Sequence, residues 1–437
     1  MKLHTRVPVL VACLLVLSPA MYAQNTDQPL AFRTAIELAL KNSATSAISR
    51  SDLQRARATV TETRDPYLPQ VIFGSGLGFS YGFPLSLEGS APSIFNVNVQ
   101  ELLLNFPQRD YIKAAKSELA VTAAQNADRR NDVIMETALD YMQLDLLESS
   151  MSVQREQQAA AAKYLDIANQ RVQEGVDSPV DLTRARLVAA RTRLDIAQSH
   201  AAADQLRLRL SQLTGLPISA IRTSTETIPQ LPQIAQDEDM AGEAAKNNPQ
   251  VTMADHAAEA KEAKARAERK QLYPAVDLAL QYSMLARYNN YDEFFNKFQR
   301  NNVTAGVSIR FPFLSPTQRA TAEAARADAA KARDEARNVR QQVSAETLKM
   351  QRSVEQLAAA REVADLEHQL AVADIEAAHA RIESGQATLK DEQNALVAEH
   401  QRYTAFLSSS FDLDKAQVQL LRQVGGLEKW ALAPPQR

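Results

Sequence analysis

Residues 171–185 read RVQEGVDSPVDLTRA, and the fold follows from how that stretch must behave. Gly175 can take the left-handed backbone conformation that closes a helix. Ser178-Pro179-Val180-Asp181 then offers an N-cap hydroxyl, a proline at the first helical position and a carboxylate in the first turn. One helix stops and another starts within three residues, which makes the tip of a helical hairpin. The same grammar returns at residues 381–395, RIESGQATLKDEQNA, where Gly385 stops a helix and Thr388 with Asp391 opens the next as a capping box. The offset is constant, 381 − 171 = 385 − 175 = 391 − 181 = 210.

Matching segments at a fixed spacing signal internal duplication. Gln108-Arg109 matches Gln318-Arg319 and Ala114-Ala115 matches Ala324-Ala325, again 210 apart. Upstream, Lys41-Asn42 matches Lys246-Asn247 and Leu68-Pro69 matches Tyr273-Pro274, but 205 apart. The second copy therefore holds 210 − 205 = 5 extra residues between Pro274 and Gln318, in a surface loop. The expected organisation is a leader at 1–23, a first repeat at 24–215, a linker at 216–237, a second repeat at 238–426 and a tail at 427–437.

In 437 residues there are only 12 glycines, and the long Ala, Glu, Gln and Arg tracts point to extended helix. A net charge of -3 and a pI near 6.2 give no electrostatic reason to expect nucleic acid. The start, MKLHTRVPVLVACLLVLSPAMYAQ, has basic Lys2 and Arg6, an apolar run over 7–17 and small-residue exits at Ala20 or Ala23, which is a secretory signal. Cys13, the only cysteine, lies inside it, so simple cleavage leaves a mature chain without thiols. Leu10-Val11-Ala12-Cys13 also reads as a lipobox, in which Cys13 is lipidated and becomes the mature N-terminus. No later stretch has 18 consecutive apolar residues, so no transmembrane helix is expected.

Residues 30–64 and 239–272 read as helices, each ended by the prolines that follow. Beyond them the period changes to two. Val71, Phe73, Leu77, Phe79, Tyr81 and Phe83 fall on one face, and Phe95, Val97 and Val99 alternate with Asn96, Asn98 and Gln100. In the second copy Val276, Leu278, Leu280, Tyr282 and Met284 interleave with polar residues, as do Val303, Ala305, Val307, Ile309 and Phe311. The connection over 287–301 is the longer one and takes the five extra residues. After each strand pair comes a helix without interior proline, 108–174 and 317–384, about 100 Å long. Met135, Leu139, Met142 and Leu146, and Val363, Leu366, Leu370, Ala373, Ala377 and Ala380, step by four and three, a heptad seam of supercoiled helices. The return helices, 179–213 and 389–424, are half as long. Stacked end to end with the equally short helices before the strands, they match one long rod.

Alternating segments of about ten residues suit a half-buried sheet in a soluble domain or the wall of a membrane barrel with a wet interior. The leader favours the barrel. Four strands cannot close one, and open edges are not tolerated in lipid, so several copies must assemble. Two copies give eight strands, a barrel filled by its own side chains; three give twelve and a conducting tube. The rods then project into the periplasm.

The segments PYLPQV at 66–71 and LYPAV at 272–276, the repeated Lys-Asn pairs and the two RxxxGxx[ST]xxD tips resemble TolC-type outer-membrane efflux proteins, the outer-membrane factors of tripartite efflux and type I secretion systems. The resemblance covers nearly all of the mature chain. It implies a mainly α fold with a small β part, a homotrimer with a twelve-stranded barrel in outer-membrane lipid, and a long coiled-coil helical tunnel. It also implies periplasmic tips that dock an adaptor, or membrane fusion protein, linked to an inner-membrane pump. The tip residues are Arg171, Gly175, Ser178, Asp181, Arg381, Gly385, Thr388 and Asp391. In relatives two acids three residues apart ring the tunnel entrance; here Asp391 matches the first and Asn394 replaces the second. Ala387 stands where some relatives have an arginine that ties the tip shut.

Helix-hairpin capping alone also accounts for the glycines, hydroxyls and acids of the tips. His200, His256, His368, His379 and His400 lack paired metal-ligand spacing, and no catalytic set gathers in the sequence, so neither a cofactor nor enzyme activity is expected. Trp430 reads as a packing anchor in the tail. The rival from another class is a secreted trimeric coiled-coil structural protein that uses its hairpins for adhesion.

Overall fold

Two side-chain caps fix where the long rods begin. In the computed structural model the Asn105 carboxamide accepts from Gln108 N at 3.1 Å and the Ser315 hydroxyl accepts from Gln318 N at 3.4 Å. Prolines at the first or second helical position, Pro107 and Pro316, then start helices of 68 residues each. The structure describes residues 29–75, 93–232, 239–285, 299, 301–386 and 388–433. The leader with Cys13, the half of the first strand from Leu77 to Phe83, the longer second connection and Ala387 lie outside the described residues.

In chain order the elements are α1 (Phe32–Asn42), α2 (Ala44–Arg64), β1 (Gln70–Gly74), β2 (Ser93–Leu104), α3 (Phe106–Gln173), α4 (Pro179–Thr214), α5 (Met240–Asn247), α6 (Pro249–Lys270), β3 (Ala275–Leu285), β4 (Asn301–Arg310), α7 (Pro316–Glu383), α8 (Leu389–Gln423) and α9 (Leu427–Ala431). Each helix expected before a strand pair is broken once. Ser43 is extended and its hydroxyl accepts from Ser46 N; Asn248 is extended because Pro249 follows it, and its carboxamide accepts from Gln250 N. The two breaks are 248 − 43 = 205 residues apart, so they belong to the duplication.

The short rods are spliced by asparagine. Asn42 Nδ2 donates to Thr214 O at 2.6 Å, the last residue of α4, and Asn248 Nδ2 donates to Gln423 O at 3.1 Å, the last of α8. Beside each splice a glycine turns the chain with positive φ, Gly215 at 77° and Gly425 at 78°. The positive φ calls for glycine at 215, and a Cβ there would also press on the Asn42 carboxamide at 3.2 Å. The repeated Lys-Asn pairs end the helices at these joints, but only Asn42 makes a splice itself; Asn247 lies against Gly425 and the splice falls to the next residue, Asn248. Asn42→Ala leaves the Thr214 carbonyl without its partner, and thermal unfolding is expected to report a loss of about 1–3 kcal/mol.

The helices form a layer. Toward the sheet the order is α2, α3, α6, α7; toward the tips it is α4, α3, α8, α7. The four strands follow in the order β1-β2-β3-β4, all antiparallel neighbours. Val276, Leu278, Leu280 and Tyr282 stand opposite Ile309, Val307, Ala305 and Val303, which gathers the apolar residues on one face, while Asp277, Gln281 and Ser283 stand opposite Ser308, Thr304 and Asn302 on the other. On β2 the alternation slips at the base: Glu101 pairs with Leu278 and Leu102 with Asp277, and an irregularity at Leu103 brings Leu104 back beside Val276.

The largest core lies midway along the rods, where α1, α3, α4, α8, α9 and the linker meet. Phe32, Ile134, Tyr141, Leu144, Leu210, Ile221 and Val418 are buried there. The Tyr141 hydroxyl donates to Leu30 O at 2.6 Å and accepts from Ser224 N at 2.9 Å, tying the chain start and the linker to α3. Trp430 packs edge-on against Phe32 with ring centroids 5.5 Å apart. The heptad seam expected on α7 is displaced by one residue. Ala364, Ala371 and Ala378 are buried against α8, whereas Val363, Leu366 and Leu370 are more than half exposed.

Candidate functional site

The two tips are built alike. At the first, Gly175 has φ 75°, Gly175 N donates to Val172 O at 3.2 Å and Val176 N to Arg171 O at 2.9 Å. At the second, Gly385 has φ 72°, Gly385 N donates to Ile382 O at 3.0 Å and Gln386 N to Arg381 O at 2.7 Å. These bonds take up the last helix carbonyls and turn the chain through about half a circle. A Cβ on either glycine would meet nothing within 4 Å, so the backbone angle alone calls for glycine.

Each return helix starts on its own cap. Ser178 Oγ accepts from Asp181 N at 3.3 Å and donates to Asp181 Oδ2 at 2.7 Å. At the second tip the Asp391 carboxylate reaches back and accepts from Thr388 N at 2.8 Å and Thr388 Oγ1 at 2.7 Å. Hydrogen bonds from Thr388 hold the Asp391 carboxyl below the usual carboxylate range, and the Ser178 hydroxyl does the same for Asp181. Both acids are ionised at neutral pH, at the positive end of a helix dipole.

The tips differ in their arginines. Arg171 makes a bidentate pair with Asp177 at 2.8 and 3.1 Å, which lowers the Asp177 carboxyl and raises the guanidinium. The position equivalent to Asp177 is 177 + 210 = 387, an alanine, so Arg381 lacks that acid. Lys390 Nζ lies 4.0 Å from Asp181 Oδ1 and brings the two tips of one chain side by side. Asn394 is exposed, one turn after Asp391 on the same side of α8.

Above the second tip α8 is joined to its neighbours by histidines that the sequence left as surface residues. His379 Nδ1 is 3.5 Å from Glu392, His368 Nε2 is 3.0 Å from Glu399, and His400 Nδ1 is 2.6 Å from Gln157 Nε2 in α3. Only the helix pairing could have revealed these partners. No helix among the described residues is long and apolar enough to cross a membrane.

No curated protein matches the sequence. Among solved structures the chain is similar to the outer membrane protein VceC of Vibrio cholerae, at 19% identity and TM-score 0.71 over 90% of this chain and 96% of that one. It is also similar to the Campylobacter jejuni CmeC outer membrane channel, at 16% identity and TM-score 0.75 over 91% and 86%. The open state of the Neisseria gonorrhoeae MtrE outer membrane channel is matched at 17% identity and TM-score 0.73 over 91% and 90%. These likenesses establish the fold. The family model described as outer membrane efflux protein matches residues 35–216 and 240–426, one segment per repeat, and leaves the adhesion reading without support. The chain belongs to the outer membrane efflux protein family, and is a channel protein of the outer membrane.

Proposed function

We propose that three copies of this chain close into a passive duct that receives cargo at the hairpin tips from a periplasmic adaptor and an inner-membrane pump and delivers it outside the cell. The observation that carries the reading is the pair of unfinished edges. β1 and α2/α4 end the chain on one side, β4 and α7 on the other. Joining one side to the other of the next copy makes a heterologous ring, and three copies bring twelve strands. Both edges carry exposed apolar stripes at heptad spacing: Val180, Leu187, Leu194 and Leu208 on α4, and Val363, Leu366 and Leu370 on α7.

The duct performs no chemistry; energy comes from the pump. Arg171, Gly175, Ser178, Asp181, Arg381, Gly385, Thr388 and Asp391 shape the surface offered to the adaptor. Three copies of Asp391, with Asn394 one turn further on, ring the entrance. Asp391 holds its charge there, but its carboxylate is also the cap of α8, so one residue serves both the ring and the helix start. In planar bilayers the purified chain is expected to form cation-preferring channels, and Asp391→Ala to raise conductance and weaken that preference. Unchanged conductance and selectivity would remove the ring, and absence of any channel would remove the duct.

A further inference from the structure

The exposed stripes on the two edge helices lie in opposite fields of charge. Over 179–194, the tip half of α4, four arginines stand against one acid, 4 − 1 = +3; over 361–383, the tip half of α7, two arginines stand against six acids, 2 − 6 = −4. Placement within the heptad sharpens the contrast. Val180, Leu187 and Leu194 form the central line of α4, and the positions flanking it are Arg184 and Arg191 on one side and Arg186 and Arg193 on the other. On α7 the line of Val363, Leu366 and Leu370 continues through Ala373 and Ala377. It is flanked by Glu367, Asp374 and Arg381 on one side and by Glu362, Gln369, Glu376 and Glu383 on the other.

Some of these charges are used within the chain and four are not. Arg184 pairs with Asp181 at 3.1 Å, and Glu367 with Arg402 of α8 at 2.7 Å. Arg186, Arg191, Asp374 and Glu376 are exposed and make no side-chain hydrogen bond or ion pair among the described residues. Three or four positions from Arg186 stand Leu182, Thr183, Ala189 and Ala190, and from Asp374 stand Leu370, Ala371, Ala377 and Ala378, so neither has a partner on its own helix. Heights along the rods follow from the turns. Lys390 lies 4.0 Å from Asp181, so the two tips of one chain are level, and a copy generated by rotation about an axis along the rods keeps those heights. Counting from the caps Ser178 and Ser384, 186 − 178 = 8 and 384 − 376 = 8, which sets Arg186 level with Glu376. Arg191 is 13 residues up, at the level of 384 − 13 = 371, between Glu367 and Asp374; Leu194 is 16 up, at 368, between Leu366 and Leu370. α4 runs away from the tip and α7 toward it, and reversing one helix of a pair brings the Arg186 flank to the Glu376 flank and the Arg191 flank to the Asp374 flank.

We propose that the tip halves of α4 and α7 are an electrostatic recognition surface for a second copy of this chain, in which Arg186 meets Glu376 and Arg191 meets Asp374 of the next copy on either side of a Leu194, Leu366 and Leu370 contact. Apolar stripes alone would let α4 meet α4, α7 meet α7, or the correct pair slip along its length. The charges exclude these alternatives. Like edges set +3 against +3 or −4 against −4. A slip of one heptad sets Arg186 opposite the uncharged Gln369, or in the other direction brings Arg191 beside Arg381. Each exposed pair is weak, so the surface works as a code for partner, direction and register, while the leucines supply the contact. The inference rests on the ring reading and adds to it which faces meet and what selects them.

Cys13 is the only native cysteine, so Arg186→Cys and Glu376→Cys can be combined in the full-length protein and joined in isolated outer membranes by a short bifunctional maleimide. Covalent dimers and trimers are expected on a denaturing gel, and neither single variant should give them. Arg186→Cys combined with Glu362→Cys, two heptads away, should give none either. Multimers from the Glu362 combination in place of the Glu376 combination, from neither, or a product with another envelope protein in their place each overturn the proposal. The charges are tested in detergent at low salt. Arg186→Glu and Glu376→Arg should each raise the protein concentration at which the multimer half dissociates by about tenfold, and their combination should restore it. Added sodium chloride should loosen the wild type and tighten the single reversals. Single reversals that assemble like the wild type, or a combination no better than either, overturn the recognition surface and leave the ring standing. A wild-type protein that is a single chain at every salt concentration removes the ring reading itself.

Discussion

Trp430→Ala is expected to destabilise the folded chain by about 3–5 kcal/mol, the range for removing a large buried aromatic side chain. The indole closes the midway core from the far end of the sequence. It packs edge-on against Phe32 at 5.5 Å, and Phe32 in turn packs edge-on against Tyr141 at 5.3 Å. Leu427 and Ala431 are buried with it, and Arg130 pairs with Glu428 at 2.8 Å. The last helix therefore fastens the second repeat onto the first. Trp430→Phe should cost far less, because the indole N–H makes no hydrogen bond and the ring contact survives in part. Thermal unfolding followed by circular dichroism measures both, and equal losses for Ala and Phe would show that the anchor is not a packing effect.

Asp140→Asn is expected to stabilise the protein by about 2 kcal/mol at pH 8 and to leave it nearly unchanged at pH 4. Asp140 is buried on α3, one carboxylate oxygen has no hydrogen-bond partner, and Arg209 lies 3.8 Å from the other. Burial pushes its carboxyl up to about 6, with Arg209 opposing and Glu136 adding to the rise. The sign follows from proton uptake. A carboxyl whose pKa is higher folded than unfolded contributes stability below its unfolded pKa, near 4, and that contribution is lost as pH rises through 6. Asparagine keeps the shape and never ionises, so the advantage of the variant should grow between pH 4 and pH 6 and then level off. A difference independent of pH would show that Asp140 is not the titrating group. Taken in full, such a rise corresponds to about 3 kcal/mol; partial hydration of the site reduces it.

The tips were legible because their chemistry is local. Gly175 and Gly385, Ser178 and Thr388, and the prolines that follow the strands act within a turn of themselves, and the offset of 210 residues exposed the second copy through the first. The helix joints were not legible in the same way. Asn42 reaches Thr214 across 172 residues of chain, and nothing near Asn42 announces the carbonyl that it satisfies. Residues 239–272 read as one helix although Pro249 stands at the break, and at the break in 30–64 Ser43 offers only a hydroxyl. The seam on α7 was misplaced for an instructive reason. Val363, Leu366 and Leu370 are the larger apolar residues, yet within one chain the close contact with α8 goes to Ala364, Ala371 and Ala378. Small residues pack the rods of a protomer closely, and the larger ones face outward, where a second copy would meet them.

That division of labour bears on the central claim, that the sheet and its rods are half-finished surfaces sealed only by other copies of the chain. The direct measurement is the native mass of the protein extracted from outer membranes in mild detergent, for the wild type and for Leu194→Asp, which places a charge in the exposed stripe of α4. The account predicts three chains for the wild type and dissociated chains for the variant. A wild-type protein that is folded, membrane-embedded and single would contradict it.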